Sequence, residues 1–221
     1  MVIDLSIPLH NDMKMLDVFP ACEISDYFSY ESTKERYLQP CHGCKTTLIA
    51  MVDHTGTHVD SPAHFIKGGK DVSQLPVDAY MGDAIYIDMS DKADETPISK
   101  ELLTSALEKI KFAKSGKILL IKCSKKRWNE DGFLEVNTLT EEAADLIIEY
   151  GFKAVGIDCM CVDCMSDMRR PVHMKLLSKD IVIVEGLANM EQISNTQCQF
   201  IALPLKLQNA SGSPVRAICI V

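Results

Sequence analysis

The 221-residue sequence has six histidines, and three of them, His54, His58 and His64, fall within eleven residues together with Asp60. Neutral imidazole and carboxylate are the donors that suit zinc or manganese. A catalytic site of this type needs about three protein ligands and an open position for water. His54, His58 and Asp60 meet that count, so the chemistry open to the string is attack by a metal-held water. All four positions share even parity, and an extended chain would send their side chains to one face. Full extension from His54 to His64 would nonetheless span about 33 Å, too far for a single site. The chain must bend, and Gly56 and Pro62 stand where bends cost least. A helix fits less well, because Asp60 would rotate away from His54 and His58, and Gly56 and Pro62 would break it. The competing reading is a polar loop whose side chains bond locally, which is the better account of a His-x-x-x-His pair on its own.

The nine cysteines form a second candidate, grouped as Cys41-His-Gly-Cys44 and Cys159-Met-Cys161-Val-Asp-Cys164. Cys-x-x-Cys spacing suits structural zinc or a dithiol pair, which would make the protein a non-catalytic metal-binding or redox module. Beyond Cys161 and Cys164 the second group has no clean pair, so buried or partly buried structural thiols are favoured. The opening residues Met-Val-Ile-Asp-Leu-Ser-Ile-Pro-Leu show no basic leader before an apolar stretch. A cytoplasmic location with reduced thiols is the expectation.

Ile- and Val-rich runs that read as strands cover Ile3–Pro8, Cys44–Asp53, Ala84–Met89, Lys117–Lys122, Ala154–Asp158, Ile181–Gly186, Phe200–Leu205 and Val215–Val221. Two segments have apolar residues at helical spacing. One is Lys100–Lys111, after Pro97 and with Ser99 as N-cap; the other is Thr140–Tyr150, stopped by Gly151. These elements predict an α/β or α+β chain with a mixed sheet, forming one domain over residues 1–221. Residues 10–43 carry Phe19, Tyr27, Phe28, Tyr30 and Tyr37 without clear periodicity, and read as a loop-rich arm for a pocket or a subunit contact. A polar turn at Asp91–Glu95 reads as surface.

Hydrophobic residues make up 47% and charged residues 24%, the balance of a packed globular chain. Thirty-one acids against twenty-three bases give a formal charge of −8, which repels phosphate backbones and anionic membrane surfaces. Nucleic acid and membrane partners are therefore not expected, and no segment approaches the ~20 apolar residues of a bilayer span.

The string His54-Thr-Gly-Thr-His58-Val-Asp60-Ser-Pro-Ala-His64 resembles the His-x-Gly-Thr-His-x-Asp-x-Pro-x-His signature of the cyclase-like metal-dependent hydrolases, a family that includes bacterial kynurenine formamidases and isatin hydrolases. Asp4-Leu5-Ser6, Leu75-Pro76, Gly82-Asp83-Ala84 and Gly156-Ile157-Asp158 with Asp163 are similar to further blocks of that family. So are His173-Met174-Lys175-Leu176-Leu177 and Glu185-Gly186-Leu187-Ala188-Asn189-Met190. Met174 departs from the usual Arg and Cys161 from the usual Ser. The resemblance implies a swivelling β/β/α fold, usually a homodimer or homotetramer, and one or two divalent metals per chain, zinc or alternatively manganese. It implies His54, His58 and Asp60 as ligands of one metal, and Asp60, His173 and Glu185 as ligands of a second. It also implies His64, acting with Glu185, as catalytic acid/base, and Phe19 before Pro20 as a pocket wall to which Tyr27, Phe28 or Tyr30 could add. The activity implied is hydrolysis of a small amide, aryl formamide or lactam. Read without the resemblance, His173 is a helix-surface imidazole and Glu185 a solvated acid in an apolar strand.

Overall fold

The computed structural model describes every residue except 14, 95, 113, 114, 134 and 135. The strands are β1 (Val2–Asp4), β2 (Glu23–Phe28), β3 (Thr46–Ala50), β4 (His58–Asp60), β5 (Met81–Asp88), β6 (Ile118–Lys122), β7 (Ala154–Ile157), β8 (Val182–Glu185), β9 (Gln197–Ile201), β10 (Gly212–Pro214) and β11 (Ile218–Ile220). The helices are α1 (Tyr30–Thr33), α2 (Ser90–Ala93), α3 (Lys100–Leu107), α4 (Glu141–Glu149) and α5 (Pro171–Leu177). Nine strands form one mixed sheet in the order β1-β11-β9-β5-β6-β7-β8-β4-β10, with β5 to β8 parallel and the flanks antiparallel. The mixed α/β architecture expected from the sequence is the one observed.

The parallel centre reads as nearly unbroken Ile, Leu and Val because both of its faces are buried. Alternate residues serve different cores. Ile85, Ile87, Leu119, Ile121, Val155, Ile157 and Ile183 pack under α3, α4 and α5. Tyr86, Ile118, Leu120, Val182 and Val184 face a second core with Ile3, Val59, Phe200 and Cys219, so strands from both ends of the sheet curl around it. Burying each large aliphatic side chain there contributes about 1.5–3 kcal/mol. The first expected helix begins at its predicted cap, where the Ser99 hydroxyl accepts the Leu102 N–H at 3.3 Å, but ends at Leu107 rather than Lys111; Thr140, expected inside the second helix, caps it instead, its hydroxyl accepting the Ala143 N–H at 3.3 Å. Gly151, at φ +72°, ends the second one.

Several expectations need correction. The Cys44–Asp53 strand shortens to β3 and lies outside the main sheet, paired with β2 in a two-stranded ribbon. The arm of residues 10–43, of which residue 14 lies outside the described residues, therefore holds a strand and a helical turn. Weak amphipathicity hid them, since neither ribbon strand is buried. Tyr27 and Tyr30 project from this exposed segment at 64% and 59% accessibility, which is why neither joins the cavity walls described below. Asp91–Glu95 begins inside α2, and Glu95 lies outside the described residues.

Candidate metal centre

Gly56 adopts φ +68°, a conformation L side chains rarely take, and turns the chain into β4. Beyond that strand, Pro62–His64 form a 3-10 turn, so both bends fall where the sequence placed them. Within β4, His58 and Asp60 are two residues apart and buried, and leave the strand on the same side. Antiparallel pairing with β8 sets Glu185 directly opposite His58. On the other edge of β4, Gly212 lies opposite Asp60, and a Cβ there would come within 2.7 Å of the His54 ring. Only glycine lets that imidazole reach the centre. His173 arrives from α5, whose N-terminus is held by Asp163: its carboxylate accepts the Val172 N–H at 2.7 Å and the His173 N–H at 3.1 Å.

The structure thus brings His54, His58, Asp60, His173 and Glu185 together. Asp60 Oδ1 is 2.8 Å from His54 Nδ1 and 3.3 Å from His58 Nε2, while its Oδ2 is 3.3 Å from His173 Nε2. Glu185 Oε1 lies 3.4 Å from His173 Nε2, and Oε2 lies 3.6 Å from His58 Nε2. Yet neither Asp60 oxygen, fully buried, receives a properly directed hydrogen bond. Unpaired buried carboxylates are costly. Two donors sharing a tetrahedral ion at about 2.0–2.1 Å sit about 3.3–3.4 Å apart, the spacing of three of these five pairs, with the His54–Asp60 pair closer and the His58–Glu185 pair slightly wider. The residues fit a divalent metal, with one Asp60 oxygen facing each of the two expected ligand sets.

The far sides of the rings support that reading. His58 Nδ1 lies 2.9 Å from the Gly56 carbonyl and His173 Nδ1 lies 2.6 Å from Asp163. Protonated at Nδ1, each ring donates outward and turns the Nε2 lone pair to the centre, as metal-binding histidines do. His54 Nε2 lies 2.9 Å from the Ser211 hydroxyl, which in turn donates to Asp53 at 2.9 Å.

Charge is concentrated here. Burial opposes protonation of His58, but the carboxylates of Asp60 and Glu185 outweigh it and raise its pKa to about 9. Burial likewise opposes ionisation of Asp60, and its three imidazole neighbours hold it well below the usual carboxylate range. The site is built to attract cations, whether protons or a metal.

His64 differs from the others. Its ring stacks on His54 with centroids 3.9 Å apart, and burial lowers its pKa to about 4 although the Asp60 charge pulls the other way. A ring nitrogen of His64 lies within 4.8 Å of donor atoms of His54 and Asp60. His54, His58, His64 and Glu185 line a cavity of about 140 Å³ with Phe19, Phe65, Cys161 and Arg170. A second cavity of about 980 Å³, walled by Trp128 and Phe133, shares Met15, Met160, Cys161 and Met165 with it.

The two cysteine groups expected from the sequence do not converge. Cys159 packs inward near Cys123 and Asp158, Cys161 turns toward His173 and Glu185, and Cys164 is exposed beside Ser166. Cys44 accepts a hydrogen bond from the Tyr37 hydroxyl at 3.3 Å, and Cys41 is exposed. Among the described residues, neither Cys41 nor Cys44 joins a group of three ligand-type side chains. Replacing both with serine should therefore leave bound metal and hydrolytic rate unchanged. Loss of one metal equivalent from a folded double variant, read by elemental analysis, would reinstate a structural zinc site there.

Sequence reasoning missed Asp53, Ser211, Phe65 and Arg170, and gave Asp163 no role. Asp163 carried no local signal, because it stands eight residues before Pro171 and only the fold brings its carboxylate to the helix start.

Comparison with known proteins places residues 3–164 in the family described as "Putative cyclase". The chain is 33% identical over 216 residues to the kynurenine formamidase of Bacillus thuringiensis (strain Al Hakam), an alignment covering 98% of this chain and 95% of that one. It is 33% identical over 217 residues to the kynurenine formamidase of Bacillus mycoides (strain KBAB4), again over 98% of this chain and 95% of that one. Isatin hydrolase A from Labrenzia aggregata, solved with benzyl benzoate, superposes with a TM-score of 0.83 at 23% identity, over 100% of this chain and 93% of that one. An isatin hydrolase bound to the product analogue thioisatinate superposes at 0.84 with 20% identity, over 100% and 92%.

Proposed function

The chain belongs to the cyclase family, and from that premise we propose that it is a metal-dependent hydrolase cleaving the non-peptide C–N bond of a small amide, aryl formamide or lactam. The observation that carries this reading is Asp60, fully buried without a directed hydrogen bond and facing three imidazoles. His54, His58 and Asp60 would hold one divalent metal, and Asp60, His173 and Glu185 a second. Imidazole and carboxylate donors suit zinc, with manganese as the alternative. Bound there, a metal supplies an activated water and a Lewis acid for the substrate carbonyl.

The residues of the chain do the rest. His64, kept neutral by burial, can take the proton that water loses as its oxygen bonds to the carbonyl carbon. As the C–N bond breaks, the same ring gives that proton to the leaving nitrogen. Glu185 is held for its part by the Val162 N–H, which donates to Oε1 at 2.8 Å. Phe19 and Phe65 wall the cavity, which suits a flat aromatic group. Among small amides, N-formylkynurenine or other aryl formamides, isatin-like lactams and cyclic imides should turn over before peptides or esters. A kcat/KM panel that ranks peptides first would contradict this assignment.

The protein is further proposed to work as a homodimer or homotetramer in the cytoplasm, where its nine cysteines stay reduced. An isolated two-stranded ribbon is marginal in water, and β3 exposes Leu48 and Ile49 at 54% each. A second copy covering the ribbon would supply the missing packing. Replacing Leu48 and Ile49 together with aspartate should shift sedimentation toward the monomer; unchanged sedimentation removes the ribbon from the interface.

A further inference from the structure

We propose that Cys161 is a metal ligand, its thiolate closing the coordination of the ion held by Asp60, His173 and Glu185. This inference rests on the metallohydrolase reading of the same site. The Cys161 sulfur lies within 4.8 Å of a ring nitrogen of His173 and a carboxylate oxygen of Glu185. Around zinc, sulfur at about 2.3 Å and nitrogen at about 2.0–2.1 Å sit about 3.5 Å apart, a change within reach of one cysteine rotamer.

The backbone just after the thiol is pinned by the centre itself. Next in sequence, the Val162 N–H donates to Glu185, and Asp163 is bonded to both the backbone and ring of His173. Arg170 Nη1 approaches the sulfur at 4.0 Å while donating to the carbonyls of Cys164 and Met165 at 3.1 and 3.3 Å. Burial and the Glu185 charge raise the pKa of this thiol and Arg170 offsets them only weakly, so the proton leaves when a metal takes its place. Independently of the cysteine, Asp60 Oδ2 is buried, without a directed hydrogen bond, and 3.3 Å from His173 Nε2.

The donor count gives the inference its meaning. Cys161, now grouped with His173 and Glu185, would on moving nearer Asp60 make a fourth ligand, the closed set of a structural site, whereas His54, His58 and Asp60 make three and leave room for water. One half of the centre holds its ion tightly and selects zinc over manganese through sulfur. The other half does chemistry. The rival sulfur pair, Cys123 and Cys159, is worse placed, because Asp158 beside it already accepts the N–H groups of Cys123 and Ser124.

The test uses the full-length protein loaded with cobalt(II). The parent should show a near-ultraviolet thiolate-to-cobalt charge-transfer band, and Cys161→Ser should lose that band while keeping bound cobalt. Losing a ligand should weaken zinc at least as much as losing a supporting group does, about tenfold or more, and manganese less. Zinc should also slow alkylation of Cys161 in the unsubstituted protein, read by peptide mapping, and leave the exposed Cys164 reactive. Cobalt bound without the band, a band that survives Cys161→Ser, or alkylation unaffected by zinc overturns the role of Cys161 and leaves the hydrolase reading intact. Failure of the parent to take up cobalt or zinc overturns both.

Discussion

Replacing Asp60 with asparagine is expected to empty the centre and reduce hydrolysis by about 10³-fold or more. The side chain is fully buried, and its two oxygens point toward separate groups of imidazole nitrogens. An amide keeps the shape but loses the charge, and it puts N–H donors where a metal needs a lone pair. A Lewis acid contributes several kcal/mol to the transition state, and each 1.36 kcal/mol is tenfold in rate, which sets the size of the loss. Because both ligand sets share this residue, both metals should go together. Elemental analysis and single-turnover rates on one preparation measure it, with circular dichroism to show that the fold persists. An Asp60→Asn protein that keeps its metal and its rate would remove Asp60 from the centre.

His64→Ala should behave differently, retaining metal while losing about 10²–10⁴-fold in rate, the usual contribution of a general acid–base group. His58→Ala should lose both, since a missing ligand weakens the metal itself. The contrast rests on local structure. His58 has its outer nitrogen fixed by the Gly56 carbonyl and its inner one facing two carboxylates. His64 follows the Pro62 turn and meets its neighbours through ring contacts with His54, Phe65 and His173. Its nitrogen is close enough to His54 and Asp60 for the experiment to be a sharp one. If His64→Ala loses metal in step with activity, His64 is a ligand; if it keeps full activity, the proton is carried by another group.

The central string was legible because its residue types and bends are local. His58 and Asp60 needed only alternation along a strand, and Gly56 and Pro62 marked the strand's ends. Glu185 was not legible in that way. An acid in an apolar strand acquires meaning only from the antiparallel register that sets it opposite His58, and register is a tertiary fact. His173 likewise depends on α5, a seven-residue helix too short to show a clear period. Only resemblance to the family brought these two forward. The Gly212–Pro214 strand carries no β-forming residue and exists because β4 offers it an edge. Strand β2 escaped notice for the opposite reason: it buries no face, so no binary pattern was written into it.

The most direct test of the account is hydrolysis of an aryl formamide by the full-length protein before chelation, after exhaustive chelation, and after zinc or manganese is returned in measured equivalents. Turnover should vanish with the metal and return in proportion to ions bound, up to one or two per chain, and the Asp60→Asn protein should not recover. Chelated protein that contains no metal and still cleaves the formamide at the parent rate would contradict it.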